Sequence, residues 1–317
     1  MVRIEVDIAL QYEVGQAGAD FIFNIQPSNF GHQSVISEAL YINQNLNVMK
    51  NADPQTGNRT LRLHANPGQL SIRAHSLVEI NHLLIEGNSI AETPVNHLPQ
   101  AVLKYLMPSR YCQSDRFYDI ATQEFGSLQP GYSRVQAICQ WAQNHLTFTS
   151  GASDNSTSAV DVLLTRKGVC RDYAHLMISL CRALNIPARF ATGTDYGADP
   201  SLGPPDFHAY VEAFVGNRWY IFDPSGTSIP MGVIRLGSGK DAAEVPFANI
   251  FGPVRSMQPV ISAVSILSAD IGCYPPYRTA LALSSDPFDN STIHSGNAPT
   301  NSASIASTPS ITNQWSQ

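Results

Sequence analysis

The chain has 317 residues, 43% of them hydrophobic and 14% charged, and a formal net charge of −6. That length and balance fit one large globular domain or, better, two, each able to bury a core. No basic cluster supplies the long-range attraction that nucleic-acid binding relies on, and no run reaches the roughly 18 apolar residues of a membrane span.

The first residues, Met1 to Asp7, carry acids within their apolar run and do not read as a signal peptide. Five cysteines, at 112, 139, 170, 181 and 273, are odd in number and scattered, with no C-x-x-C. This argues against a disulfide framework or a zinc site. It points to a reducing compartment, hence the cytoplasm. No metal or cofactor is expected.

Val2, Ile4, Val6, Ile8, Leu10, Tyr12 and Val14 alternate with mostly polar residues, the pattern of a half-buried antiparallel strand. Phe21 to Ile25 and Ser34 to Ile42 read as further strands. After the turn Asn66-Pro67-Gly68, alternation resumes from Leu70 to Ile80. An antiparallel β-sandwich over residues 1–93 follows. His64, His75, His82 and His97 show no metal-ligand spacing and read as surface or structural.

Residues 94–110 read as a linker, with Pro94 to Pro99 at its start, and residues 111–275 as a second, α+β domain. Ser114 can cap a helix to about Phe125. Ser133 to Gln136 resembles a capping box opening a helix whose apolar stripe includes Cys139. Phe148 to Ser158 is a polar loop, and Ser158 to Arg166 a short helix. Ala188 to Gly193 is a strand, followed by a Gly- and Pro-rich loop to Phe207 of the kind that lines sites or merely connects. The polar tail, residues 276–317, is expected to be extended, with Ile305, Ile311 and Trp315 as the residues able to dock it.

Between these elements lies Gly168-Val169-Cys170-Arg171-Asp172-Tyr173-Ala174-His175-Leu176. Tyr173, Met177, Leu180, Cys181 and Leu184 fall on one helical face, and Asn185-Ile186-Pro187 ends the helix. Cys170 therefore stands at a helix N-terminus, where unpaired N–H groups favour the nucleophilic thiolate. A buried, inert cysteine is the plainer alternative.

A hairpin follows. His208, Tyr210, Glu212 and Phe214 alternate with Ala209, Val211, Ala213 and Val215. Gly216-Asn217 is a two-residue turn signal, and Arg218 to Asp223 returns. If those two residues form the loop, Asp223 falls opposite Tyr210 and becomes the diagonal neighbour of His208, about 7–8 Å away at the Cα atoms. A three-residue loop would put the two on opposite faces. An imidazole held by a carboxylate is what a nucleophile–base–orienter site needs.

Among rivals, Asp172 in the first helical turn suits the helix dipole, since negative charge beside a thiolate would oppose its formation. His175 lies about 140° round the helix from Cys170 and is badly placed as a base. Asp206 competes with Asp223 as orienter. Cys112 could border the cleft and has no assigned role.

The segment from about Tyr132 to Asp223 resembles the core of the transglutaminase-like superfamily, a branch of the papain-like cysteine enzymes. Gly168 to Leu176, Ala183 to Arg189, His208 to Glu212 and Trp219 to Pro224 carry the resemblance. It extends to the bacterial transglutaminase-like cysteine proteases through the N-terminal β domain, Tyr105 to Cys112 and Lys240 to Val245. The fold so implied is a β-sandwich followed by a papain-like core whose nucleophile helix packs on an antiparallel sheet. The resemblance implies Cys170 as nucleophile, His208 as general base and acid, and Asp223 as orienter. The implied reaction is acyl transfer from a peptide or isopeptide amide through a thioacyl-enzyme resolved by water. Resolution by an amine, or a non-catalytic peptide-binding scaffold, are the alternatives. The backbone N–H of Cys170 suits one oxyanion donor. Eukaryotic transglutaminases supply a tryptophan for the other, and none occurs between Phe148 and Gly168.

Overall fold

The computed structural model describes residues 1–194, 196–198, 201 and 205–287. Seven strands come first: β1 (Val2–Val14), β2 (Ala19–Phe23), β3 (Gln33–Ile42), β4 (Met49–Ala52), β5 (Arg59–Ala65), β6 (Gly68–Ile80) and β7 (Leu83–Ile85). Helices then dominate: α1 (Tyr118–Phe125), α2 (Tyr132–His145), the short strand β8 (Thr147–Phe148), α3 (Ala159–Thr165), β9 (Lys167–Gly168) and α4 (Cys170–Ala183). Strands return as β10 (Ala188–Thr194), β11 (Phe207–Val215), β12 (Arg218–Phe222), β13 (Ile234–Gly239), β14 (Ala248–Phe251), β15 (Val254–Ser256), β16 (Val260–Ser265) and β17 (Ala282–Ser284).

The even-numbered residues of β1 are buried from Val2 to Val14, as their alternation requires. They lie in one sheet of order β15-β1-β6-β3, with β16 also on β1. The facing sheet runs β14-β2-β5-β4. The sandwich is thus completed by strands from residues 248–265. The core sheet, β13-β10-β11-β12-β17-β7, likewise takes β7 from before the linker and β17 from the polar tail. Pairing crosses the limits drawn from the sequence at residues 93 and 275. Those limits stand as a proposal about sequence modules rather than about separate sheets. Ile305, Ile311 and Trp315 lie outside the described residues.

Two cores meet at β11. Ala209, Val211, Ala213 and Val215 face a cluster with Tyr173, Met177 and Leu180 of α4. Tyr210 joins the other cluster, with Ile221, Val233 and the inward face of β1. The α+β class and the helix-on-sheet arrangement are therefore as the resemblance implied.

Three local readings need correction. The residues after Ser114 form a 3-10 turn, Ser114–Arg116, before α1 begins at Tyr118. Ser133 is inside α2 rather than capping it. The Tyr132 N–H is already accepted by the Ile90 carbonyl, and the Ser133 hydroxyl turns to Asn88 Oδ1 at 3.2 Å. Helix α4 is buried on every side from Asp172 to Arg182, not on one face, because other helices and the core sheet surround it.

Candidate active site

The start of α4 is built around Asp172. Val169, in extended conformation, precedes the helix, and its N–H donates to Asp172 Oδ2 at 2.8 Å. The Ser153 hydroxyl also donates to that oxygen, and the Arg171 guanidinium pairs with Oδ1 at 3.2 Å. The carboxylate is fully buried and occupied, the structural role its position suggests. Gly168 makes room for it, because a Cβ there would lie 2.6 Å from Asp172 Cβ. Cys170 is thereby fixed as the first residue of α4, half-buried, with its N–H among those that lack an intrahelical acceptor. It opens on a cleft of about 540 Å³ shared with Arg110, Tyr111, Asn155, His208 and Phe247.

His208 reaches this cleft from the hairpin. Gly216 and Asn217 have φ of 55° and 61°, the left-handed pair of a type I′ turn. Val215 faces Arg218 and Val211 faces Phe222. The two-residue register therefore holds, and Asp223 comes next, beyond the end of β12. His208 Nε2 lies 3.3 Å from Asp223 Oδ1, with both side chains 2% exposed. The histidine lines the same cleft as Cys170.

Asp223 is a turn former as well as a partner. Its Oδ1 accepts the N–H and hydroxyl of Ser225 at 3.1 and 2.6 Å. Its Oδ2 accepts those of Ser228 at 3.0 and 2.8 Å. The Ser228 hydroxyl also sits 3.2 Å from His208 Nε2. Burial alone would raise the Asp223 pKa. The His208 charge and these donors outweigh it and hold the carboxyl well below its usual range. Burial pulls His208 down, but the Asp223 charge, its hydrogen bond and the nearby Cys170 carry it well above the usual imidazole value. Ser228 was missed in the sequence. The turn signature Asp223-Pro224-Ser225-Gly226 was the clue that hydroxyls would gather on that carboxylate.

The rivals are placed elsewhere. Asp206 Oδ1 accepts the N–H of Phe207 at 2.7 Å. His175 is buried and stacked on Tyr111, with ring centroids 5.0 Å apart. Its Nε2 accepts the Ala242 N–H at 3.2 Å, and burial pushes its pKa down to about 3. Cys139 belongs to the core, as its stripe indicated. Cys112 does not border the cleft: it is wholly buried, and burial pushes its thiol up to about 12. Its neighbours Arg110 and Tyr111 line the cleft instead.

Helix α4 also anchors both other segments that resembled the family. Arg182 donates to the carbonyls of Met107 at 3.0 Å and Lys240 at 2.6 Å. Asp241 Oδ2 in turn accepts the Tyr111 N–H at 2.9 Å. Among the described residues there is no cluster of three or more His, Cys, Asp or Glu able to hold a metal. No described helix is long and apolar enough to cross a membrane.

Residues 119–224 match the transglutaminase-like superfamily, and residues 2–101 match the N-terminal domain of bacterial transglutaminases. A provisionally named cysteine protease from Cytophaga hutchinsonii, solved by crystallography, is 33% identical. Its superposition has a TM-score of 0.82 and covers 89% of this chain and 97% of that one. The chain belongs to the transglutaminase-like superfamily. An uncharacterized protein of Mycobacterium leprae is 26% identical over 199 residues, 60% of this chain and 70% of that protein. An uncharacterized protein of Mycobacterium tuberculosis is 27% identical over 173 residues, 51% of this chain. The match spans 53% of the length of that protein.

Proposed function

We propose that this transglutaminase-like protein is a thiol-dependent acyl-transfer enzyme acting on peptide or isopeptide amides. The Cys170 thiolate attacks the carbonyl carbon, and the electron pair of the C=O bond moves to oxygen. His208 then protonates the departing amine, and a thioacyl-enzyme remains. His208 next takes a proton from water, which attacks the thioester and releases the acid and the Cys170 thiolate. Asp223 holds the imidazole and stabilises its charged form.

The observation that carries this reading is the buried His208, 3.3 Å from Asp223 and lining the same cleft as Cys170. Its raised pKa favours imidazolium, the partner a thiolate needs.

The test is the rate at which iodoacetamide alkylates Cys170 as pH is varied, followed by peptide mass spectrometry. Fast alkylation near pH 6 in the wild type, lost in His208→Ala, is the expected result. An ordinary thiol reacts appreciably only as pH nears about 8.5, and that behaviour in both proteins would leave the scaffold alternative standing. Product analysis with and without an added amine separates hydrolysis from transamidation.

A further inference from the structure

An acyl-transfer site must stabilise an oxyanion as well as supply a nucleophile, and one donor rarely suffices. The Cys170 N–H at the start of α4 is one donor. The other has to be a group in the same cleft that is free to donate and fixed relative to that helix.

The cleft offers few. The Tyr111 hydroxyl is spent on the Asn155 carbonyl at 2.7 Å. The Thr192 hydroxyl donates to the Val245 carbonyl at 2.6 Å. The Arg171 guanidinium is taken up by Asp172, the Ser153 hydroxyl at 3.0 Å and the Asp154 carbonyl at 2.8 Å. Arg110 lies over the Tyr111 ring. Asn249 is carried by β14 of the sandwich.

Asn155 combines an unspent donor with a backbone tied to the nucleophile helix. Its side-chain amide has no partner among the described residues, and it lines the cleft together with Cys170. Its backbone is held on both sides. Tyr111 grips its carbonyl, and Arg171, from the first turn of α4, grips the residue before it. Asp154 Oδ1 folds the loop by accepting the N–H groups of Ser156 at 2.8 Å and Thr157 at 3.1 Å. A loop this strongly fastened to the nucleophile helix keeps a donor in register with Cys170 without burying it.

We propose that the side-chain amide of Asn155 is the second oxyanion donor, a catalytic residue acting beside the Cys170 N–H. The inference rests on the acyl-transfer reading above. When Cys170 attacks, the carbonyl electron pair moves to oxygen, and the Nδ2–H and Cys170 N–H receive that charge. As the oxyanion collapses, the pair returns and the leaving group departs with its own.

The test uses p-nitrophenyl acetate as acyl donor and iodoacetamide as a probe that forms no oxyanion. In Asn155→Ala, the acylation burst that releases p-nitrophenolate should slow by about 10²-fold, while Cys170 alkylation keeps the wild-type rate. Asn155→Asp, which places a carboxylate near the developing charge, should acylate no faster than Asn155→Ala. The exposed position makes both variants compatible with folding. Wild-type acylation in Asn155→Ala would overturn the assignment while leaving the acyl-transfer reading intact. Ordinary thiol reactivity and no burst in the wild type would overturn both.

Discussion

Arg189 and Glu212 face each other across β10 and β11, their side chains 2.5 Å apart and almost wholly buried. Arg235, fully buried, meets the same carboxylate at 3.2 Å from β13. Burial would raise the Glu212 pKa, but the two arginines outweigh it and bring it to about 2. Removing the one acid leaves two buried guanidinium groups uncompensated. Glu212→Gln should therefore cost about 3–5 kcal/mol of stability, read from urea unfolding at neutral pH. The sign in pH follows from the lowered value. The Glu212 contribution is present above the unfolded carboxylate pKa of about 4.3 and is lost as pH falls through the folded one. The gap between wild type and variant should narrow over that window. An unchanged gap would deny the ion cluster its role.

The His208–Asp223 pair makes its own prediction. His208 has a raised pKa, so its contribution is fully present below the unfolded value of about 6.5 and fades as pH rises through the folded one. Asp223 has a lowered pKa, so its contribution is present above about 3.9 and fades as pH falls. Urea midpoints of wild type and Asp223→Asn should differ most between about pH 4 and 6.5. A difference that grows steadily into alkali would contradict the pairing.

Ser228 gives Asp223 two of its donors and also touches His208. Ser228→Ala removes only the hydroxyl, with a cost of about 1–3 kcal/mol for the donor lost to a buried charge. The acylation rate should fall by roughly tenfold or more, and Cys170 alkylation near pH 6 should slow with it. If neither rate moves, Ser228 serves the turn alone.

His175 is the buried histidine on the nucleophile helix, and it is tied to Ala242 rather than to Cys170. His175→Phe keeps the ring against Tyr111 and deletes the acceptor. Stability should drop by about 1–3 kcal/mol because the Ala242 N–H loses its partner, while Cys170 keeps its alkylation profile. Loss of the fast reaction at pH 6 in this variant, with the fold intact, would make His175 a second candidate for the base.

Legibility in the sequence followed the range of the forces involved. The hairpin was readable because two adjacent residues, Gly216 and Asn217, dictate its turn, and the turn dictates which residues face each other. Helix α4 and its cysteine were readable because caps and breakers act within a few residues. Ser228 was not, because its role depends on a turn that swings it back five residues onto Asp223. The closing strands were not either. Val254–Ser256 and Val260–Ser265 are short, with largely exposed side chains. No apolar–polar alternation in their sequences marks them, and only the waiting edge of β1 makes them strands. The all-round burial of α4 was hidden similarly, since His175, Ser179 and Arg182 look like a solvated face until their distant partners are known.

The return of β14, β15 and β16 to the sandwich sets an order of events during synthesis. Strand β1 pairs along one side with β6, but its other side has no neighbour until residues 254–265 have left the ribosome. For most of translation the nascent chain therefore carries an open sheet edge, a template for mispairing with other chains. The cysteine-bearing helix is made while that edge is still bare. A ribosome-released fragment ending before residue 248 would keep the cleft's chemical groups yet lack the strands that seal the sandwich. Such fragments should be the ones that chaperones hold and that aggregate when chaperones are scarce.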